Sequence, residues 1–454
     1  MNSRKFYSAH AVKKSATKSR RAVRKNLNID TLLALVREEF QKIPNSRADN
    51  AKISLDDALM SALAMFVLKD ASLLAFDKRR REEPENLHTV FRIETIPCDS
   101  QMRTILDPLQ LVFLRAAFCA VFREVQRGKD FQKMAYYDGH YLLSGDGTGY
   151  YSSTKVASPF CMKKKCTNGV ILYYQQMYAA SFVSPDCKVV IPTFPEIITQ
   201  QDGSTKNDCE RNAAKRYFES FRREHPHLKV IVVEDGLSSN GPHIRDLQEH
   251  NLRFILGVKP GDHVALFTEL REAVAAGMAS EVVSIDPKDR KKGHHFRFAN
   301  QVSLNKSNPD LLVNVLEYMQ IDKHGNITTF SWVTDILITE KNVFKLMKAG
   351  RARWKIDYAD IQNMLNGNAR HRKRPLPLVG LQGSGGADMS AYSGHVIKGF
   401  AEARYSSPSL NRKSPPLGGC SVSKDFSFIA RSAVTMMYVV SIFLSYGRAI
   451  SQIR

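Results

Sequence analysis

The sequence predicts an α/β protein: a mixed sheet flanked by helices, preceded by an all-helical region and interrupted by a mainly β insertion. Three observations carry this reading. Apolar residues recur at helical spacing from Asp30 to about Leu68. The middle of the chain turns to runs rich in Val, Ile and Tyr. From Lys206 to Pro260 strand and helix patterns alternate, the mark of parallel strands joined by helical crossovers. At 454 residues the chain exceeds what one core organises, so two or three domains are expected.

Each element follows in chain order. Residues 1–28 are rich in Lys, Arg and Ser, with no acid before Asp30, and read as a flexible basic arm. The helical region spans 29–130. It opens with IDTLLALVREEF and SLDDALMSALAMFVL, where Ser54 resembles an N-cap ahead of an acidic first turn. A charged break at Lys78 to Glu85 (KRRREEPE) follows. Beyond Pro97, Asp99 or Ser100 would cap a short helix carrying Gln101 and Arg103, an arrangement that suits a helix-turn-helix reader and equally an ordinary surface helix.

The first part of the α/β core spans 131–260. GHYLLSGDGTGYY, GVILYYQQMYAASFV and KVVIPTFPEII read as an antiparallel meander. A helix from about Lys206 to Glu224, the strand LKVIVVED, a helix near His243 to His250 and the strand LRFILGVKP continue it. After a helix near Ala265 to Ala276, the pieces EVVSI, HHFRFANQV, LLVNVLEYMQI and NITTFSWVTDILI make residues 261–338 a mainly β insertion. Residues 339–365 hold a further helix interrupted by Gly350. From 366 to 424 the composition shifts to Gly, Pro, Ser, Arg and Lys with no period, and 425–454 is an apolar helix or strand. Its core, Ser432 to Gly447, is shorter than the roughly 20 residues a membrane span needs, so no membrane role is expected.

The chain carries 66 Lys and Arg against 45 Asp and Glu, a formal +21 that favours a polyanionic partner, with nucleic acid the default. Seven scattered cysteines and no secretory signal argue for reduced thiols in a cytoplasmic setting and against a disulfide scaffold. Cys161 and Cys166 have no second pair to complete a zinc set.

Moving a phosphodiester requires hard oxygen ligands for divalent cations, best placed at strand ends. Asp146 lies in YLLSGDGTGYY among Gly145, Gly147 and Gly149, which would leave room for a metal or a phosphate backbone. Asp235 terminates the apolar strand KVIVVED, at the sheet edge where α/β sites are built. The bland reading of each is a turn aspartate. A third carboxylate is expected late in the chain, where Asp357 and Asp360 share one helical face beside Arg351, Arg353 and Lys355. Trp332 in FSWVTD reads as a core residue or as a platform for an unpaired base. Lys206 and Arg211 recur along one helix and suit phosphate contact, and Asp208 and Glu210 beside them read as extra metal ligands or, more simply, as helix-capping and ion-pairing acids.

At these residues the chain resembles the DDE transposases of bacterial insertion sequences, the group whose RNase H-like core is interrupted by a β-rich insertion before the third acid. The phrases SLDDALMSALAMF, DGHYLLSGDGTGY, QQDGSTKNDCERNAAKR, VVEDGLSSNGPHI, ILGVKPGDH, FSWVTDI and AGRARWKI carry the resemblance in that order, from about Thr31 to Ile356. It implies that Asp146, Asp235 and Asp357 are catalytic acids holding two Mg²⁺ ions, with Mn²⁺ able to substitute. It also implies that the helical region at 29–130 binds DNA. Gln101, Arg103, Lys206, Arg211, Trp332, Arg351, Arg353 and Lys355 are the expected DNA-binding set.

The implied partners are double-stranded DNA, as transposon ends and as target, and a second copy of the chain when two ends are paired. The implied setting is the bacterial cytoplasm, at the nucleoid. The family has glutamate where Asp357 stands, tyrosine at Gly350 and lysine at Met364, and from Tyr358 onward the chain departs from its usual continuation. An out-of-frame 3′ coding end would explain this departure. A catalytically impaired remnant that only binds DNA, and an RNase H-like nuclease, are the alternative readings.

Overall fold

The computed structural model describes residues 29–68, 70, 72–129, 131–155, 161–198, 209–286, 289–322 and 324–356. The basic arm, Lys206, Asp357, Asp360 and the two C-terminal tracts lie outside them. The chain divides into two compact units, the second formed by Phe131–Thr154 and Phe160–Met364.

The first unit is helical in its described part: α1 (Ile29–Gln41), α2 (Leu55–Val67), α3 (Leu73–Glu82), α4 (Glu85–Thr89), α5 (Asp99–Leu106) and α6 (Arg115–Arg127). Ser54 caps α2 as its spacing predicts, its hydroxyl accepting from the Asp57 N–H at 3.1 Å. Asp57 itself is buried. It accepts from the N–H groups of Glu94 (3.1 Å) and Thr95 (2.8 Å) and from Arg37 (2.7 Å), so a buried carboxylate ties α1, α2 and the segment before α5 together.

Two expectations need correction here. The charged stretch read as a break begins inside α3, whose last turn holds Arg79, Arg80 and Arg81. Cations suit the negative end of a helix, and Asp70 and Glu83 accept from Arg79, so charge there extends the helix. The N-cap of α5 is Cys98, not Asp99 or Ser100.

The second unit is a mixed α/β structure built on one 11-stranded sheet. Its strands are β1 (Tyr141–Ser153), β2 (Met162–Lys165), β3 (Ile171–Ser184), β4 (Cys187–Pro192), β5 (Glu196–Ile198), β6 (Val230–Glu234), β7 (Arg253–Gly257), β8 (Ser280–Asp286), β9 (Asp289–Asn305), β10 (Asn308–Ile321) and β11 (Ile327–Thr334). The order is β2-β3-β1-β6-β7-β11-β10-β9-β8, with β4 and β5 also on β3. β1, β3 and β4 form the expected antiparallel meander. β6 then runs parallel to β1, and β7 parallel to β6. The helices α7 (Glu210–Glu224) and α8 (Gly241–Glu249) precede β6 and β7, and α9 (Val264–Ala275) precedes β8.

The segment expected as a β insertion does supply β8 to β11, yet it forms no separate sheet: β11 pairs with β7, Trp332 opposite Gly257. One face of the sheet buries Leu142, Ile231, Val233 and Ile255 in a cluster with Val343, Leu346 and Met347 of α10 (Val343–Arg351). Among the described residues, no single helix is long and apolar enough to cross a membrane.

Candidate catalytic site

Strand register brings the first two predicted acids together. Leu142 pairs with Ile231 and Ser144 with Val233 in the parallel ladder of β1 and β6. Two residues further along each strand, Asp146 and Asp235 stand level and on the same face, the one that carries α10. β6 ends at Glu234, whereas β1 runs on beside β3 to Ser153. Asp235 therefore lies just past the carboxyl end of β6, where the chain leaves for α8, and Asp146 lies within β1 just beyond the end of its parallel pairing with β6.

Each acid has a local partner. Asp235 Oδ1 accepts the Leu237 N–H at 2.9 Å, the turn-capping bond of the bland reading, which engages one of its two oxygens. Asp146 Oδ2 accepts from Arg353 Nη1 at 3.0 Å. Arg353 belongs to a 3-10 turn, Ala352–Lys355, that continues α10. That turn is fixed from two sides. Ser144 Oγ donates to the Arg353 carbonyl at 3.1 Å, and Lys355 Nζ donates to the carbonyls of Ser184 and Pro185 at the end of β3.

The opposite face of the same strand ends holds a buried polar set that sequence reasoning missed. Glu234 is only 2% exposed, and its carboxylate is gripped by the Tyr178 hydroxyl and by His243 Nε2, the latter at 2.6 Å. A buried carboxylate needs such partners, and Glu234 in the apolar run VIVVED was the available signal. Burial lowers the affinity of His243 for its proton, but the charge and hydrogen bond of Glu234 outweigh that and raise it. Glu210, first residue of α7, is pushed up to about 7 by burial and then by the charges of Asp146, Asp235 and Glu234.

The glycines around Asp146 serve this set. A methyl group at Gly145 would overlap the Tyr178 hydroxyl and approach Glu234 Oε1 to 2.9 Å, and one at Gly147 would overlap the Glu210 carboxylate. The room read in the sequence as clearance for a metal or a phosphate is filled by side chains at Gly145 and Gly147, whereas a methyl group at Gly149 would meet nothing closer than 3.9 Å. A pocket of about 260 Å³ opens beside them, lined by Tyr178, Glu210, Arg211, Leu237, Ser238 and His243.

No protein-family model matches the chain, and no curated protein matches it.

Of the predicted site residues, Asp146 pairs with Arg353, and the register of β1 and β6 sets Asp235 beside Asp146. Arg211 lines the pocket with Glu210. Arg351 turns away: it donates to Gln320 Oε1 at 2.7 Å and covers the Phe330 ring at 4.6 Å. Lys355 is committed to the two carbonyls above. Trp332 is 6% exposed and stacks on Phe330 inside the apolar cluster, so its ring is a core element with no open face for a base. In the first unit, Gln101 Oε1 accepts the Cys98 N–H at 3.0 Å and so caps its own helix, while Arg103 pairs with Asp99 at 3.5 Å.

Among the described residues, no group of three or more His, Cys, Asp or Glu side chains is arranged to hold a metal ion. Asp146 and Asp235 do supply two hard carboxylates, and after burial it is their charges that most raise the affinity of Glu210 for its proton. That donor set suits a divalent cation with oxygen preference, Asp146 and Asp235 being the residues that would hold it.

Proposed function

We propose that this chain is a DNA transposase that cleaves transposon ends and joins them to target DNA. The observation that carries the proposal is the placement of Asp146 and Asp235, level and on one face where the parallel pairing of β1 and β6 ends. The mixed sheet with helical crossovers into β6 and β7 supports an RNase H-like core. The +21 charge supports a DNA partner.

Divalent Mg²⁺, when bound, supplies charge neutralisation on the attacking and leaving oxygens of a phosphodiester. The chain's own residues do the rest. Asp146 and Asp235 present carboxylate oxygens to the reacting phosphate region. Arg353 holds Asp146 in place and keeps further N–H donors for a phosphate oxygen, which a guanidinium engages in fork geometry. Water attacks the end phosphodiester first and frees a 3′-hydroxyl, which then attacks a target phosphodiester and displaces its 3′ oxygen.

The test is cleavage. DNA carrying the terminal repeats that flank the coding sequence is incubated with the purified chain in Mg²⁺ or Mn²⁺. Cutting and joining to target DNA are expected, with both lost in Asp146→Ala and in Asp235→Ala at unchanged thermal stability. Cutting that survives both substitutions would overturn the assignment.

A second reading is a remnant that binds ends without cutting them. The aspartate at 357, one methylene shorter than the glutamate of the resemblance, favours it: shortening by about 1 Å is enough to misplace a ligand. Binding of the terminal DNA with no cleavage product in either metal is its signature.

A further inference from the structure

The β2 and β3 hairpin places a set of cations that the site above does not use. β2 is a four-residue strand at one end of the sheet and consists of buried Met162 followed by three exposed lysines, Lys163, Lys164 and Lys165. The surrounding sequence holds no acid from Gly147 to Pro185.

Register decides which way these lysines face. Asp146 pairs with Ala179 of β3, so Ala179 lies on the face that Asp146 occupies. Side chains alternate along a strand, so Met177, Gln175, Tyr173 and Ile171 continue on that face. Lys163 pairs with Tyr173 and Lys165 with Ile171. Two of the three lysines therefore share the face of Asp146, and Lys164 lies on the other. Ser153 of β1 also pairs with Tyr173, so one row across the sheet reads Lys163, Tyr173, Ser153: a cation, a phenol and a hydroxyl, all groups that engage DNA backbone.

Distance adds a constraint. Six residues separate Ala179 from Tyr173, about 20 Å of strand at about 3.4 Å per residue. Successive phosphates of one strand advance by about the same 3.4 Å along the axis of a B-form duplex, so a duplex lying along β3 passes about six nucleotides over that length and about eight by Ile171. Lysines on an edge strand also discourage pairing with another sheet, but that purpose is served by a charge of either sign on either face. It accounts neither for the absence of acids nor for the alignment with Asp146.

We propose that the β2 and β3 hairpin is a DNA-backbone contact, with Lys163 and Lys165 binding phosphates about six and about eight nucleotides, respectively, from the phosphodiester that faces Asp146. The position relative to the chemistry rests on the transposase reading; the contact itself is measurable without any cutting.

The experiment uses the full chain and a 30-base-pair duplex, with affinity followed by fluorescence anisotropy across a salt series. Each phosphate contact contributes about 0.9 to the slope of log affinity against log salt. The Lys163→Ala, Lys165→Ala double variant should flatten that slope by about 1.8. The Lys163→Arg, Lys165→Arg variant should restore it, which excludes misfolding as the cause. An unchanged slope in a double variant with the parent's circular dichroism and melting temperature overturns the hairpin contact alone. A parent chain that does not bind duplex DNA overturns both this contact and the proposed function.

Discussion

Glu210 shows how a single side chain records the charge around it. Its carboxyl titrates at about 7 against 4.5 for an ordinary glutamate, because burial and then the charges of Asp146, Asp235 and Glu234 oppose its ionisation, with the Gly147 N–H acting the other way. Between those two values the folded chain keeps a proton that the unfolded chain has released. Stability from this group is thus highest below about 4.5, falls as pH rises through that window and levels off above about 7. Glu210→Gln keeps an acceptor for Gly147 and removes the titration. Urea unfolding of parent and variant from pH 4.5 to 8 should show the variant gaining on the parent as pH rises, then a constant difference. A gap that does not change with pH would refute the electrostatic account. Residues of this kind were only half legible in the sequence. Asp146 and Asp235 stood out because strand and turn patterns framed them. Glu210 read as an extra ligand or a helix-capping acid and Glu234 did not stand out, because the partners that define them come from elements distant in the chain.

Helix α10 makes the corresponding point for elements. The pattern reads Gly350 as an interruption, and the α-helix ends one residue later at Arg351 and passes into a 3-10 turn; the missing side chain at Gly350 leaves room for Trp332. A methyl group there would lie 2.5 Å from the indole Nε1 and 2.6 Å from Cε2. Gly350→Ala therefore sets two effects against each other. Alanine is the better helix former by about 1 kcal/mol. Overpacking a filled core costs about 1–3 kcal/mol. Because the ring is held by Phe330 on one side and the cluster around Leu346 and Met347 on the other, the second effect should win, and net destabilisation is expected in urea unfolding. A stabilised Gly350→Ala would show that the indole yields easily. The same logic explains which elements the sequence disclosed. Long strands such as β3 and β10 and the capped helix α2 declare themselves by period and cap. The short β2 escapes because three lysines mask its alternation, and α3 escapes because its arginines resemble a loop.

At the scale of the whole molecule, the alternation of strand and helix predicted the α/β class, but not that β8 to β11 would extend the same sheet, since pairing of β11 with β7 joins segments about 75 residues apart. Charge is the other property that belongs to the entire chain. A net +21 creates a field that acts before contact, drawing a polyanion in and raising association rates more than final affinity. Residues 1–28 contribute cations without a single acid, so on the proposed reading they feed that field directly. Deleting residues 2–28 should slow association with duplex DNA by about tenfold at low salt, the lower end of what electrostatic steering provides. The difference should vanish near 1 M salt, where the screening length falls to about 3 Å. Stopped-flow fluorescence with labelled duplex gives both rates, and the melting temperature of the truncated chain separates lost charge from lost structure. A deletion that leaves low-salt association unchanged would locate the steering field in residues 29–454. A rate loss that persists at 1 M salt would mean that the arm makes contacts other than charge, because only the screened part of an interaction disappears with salt.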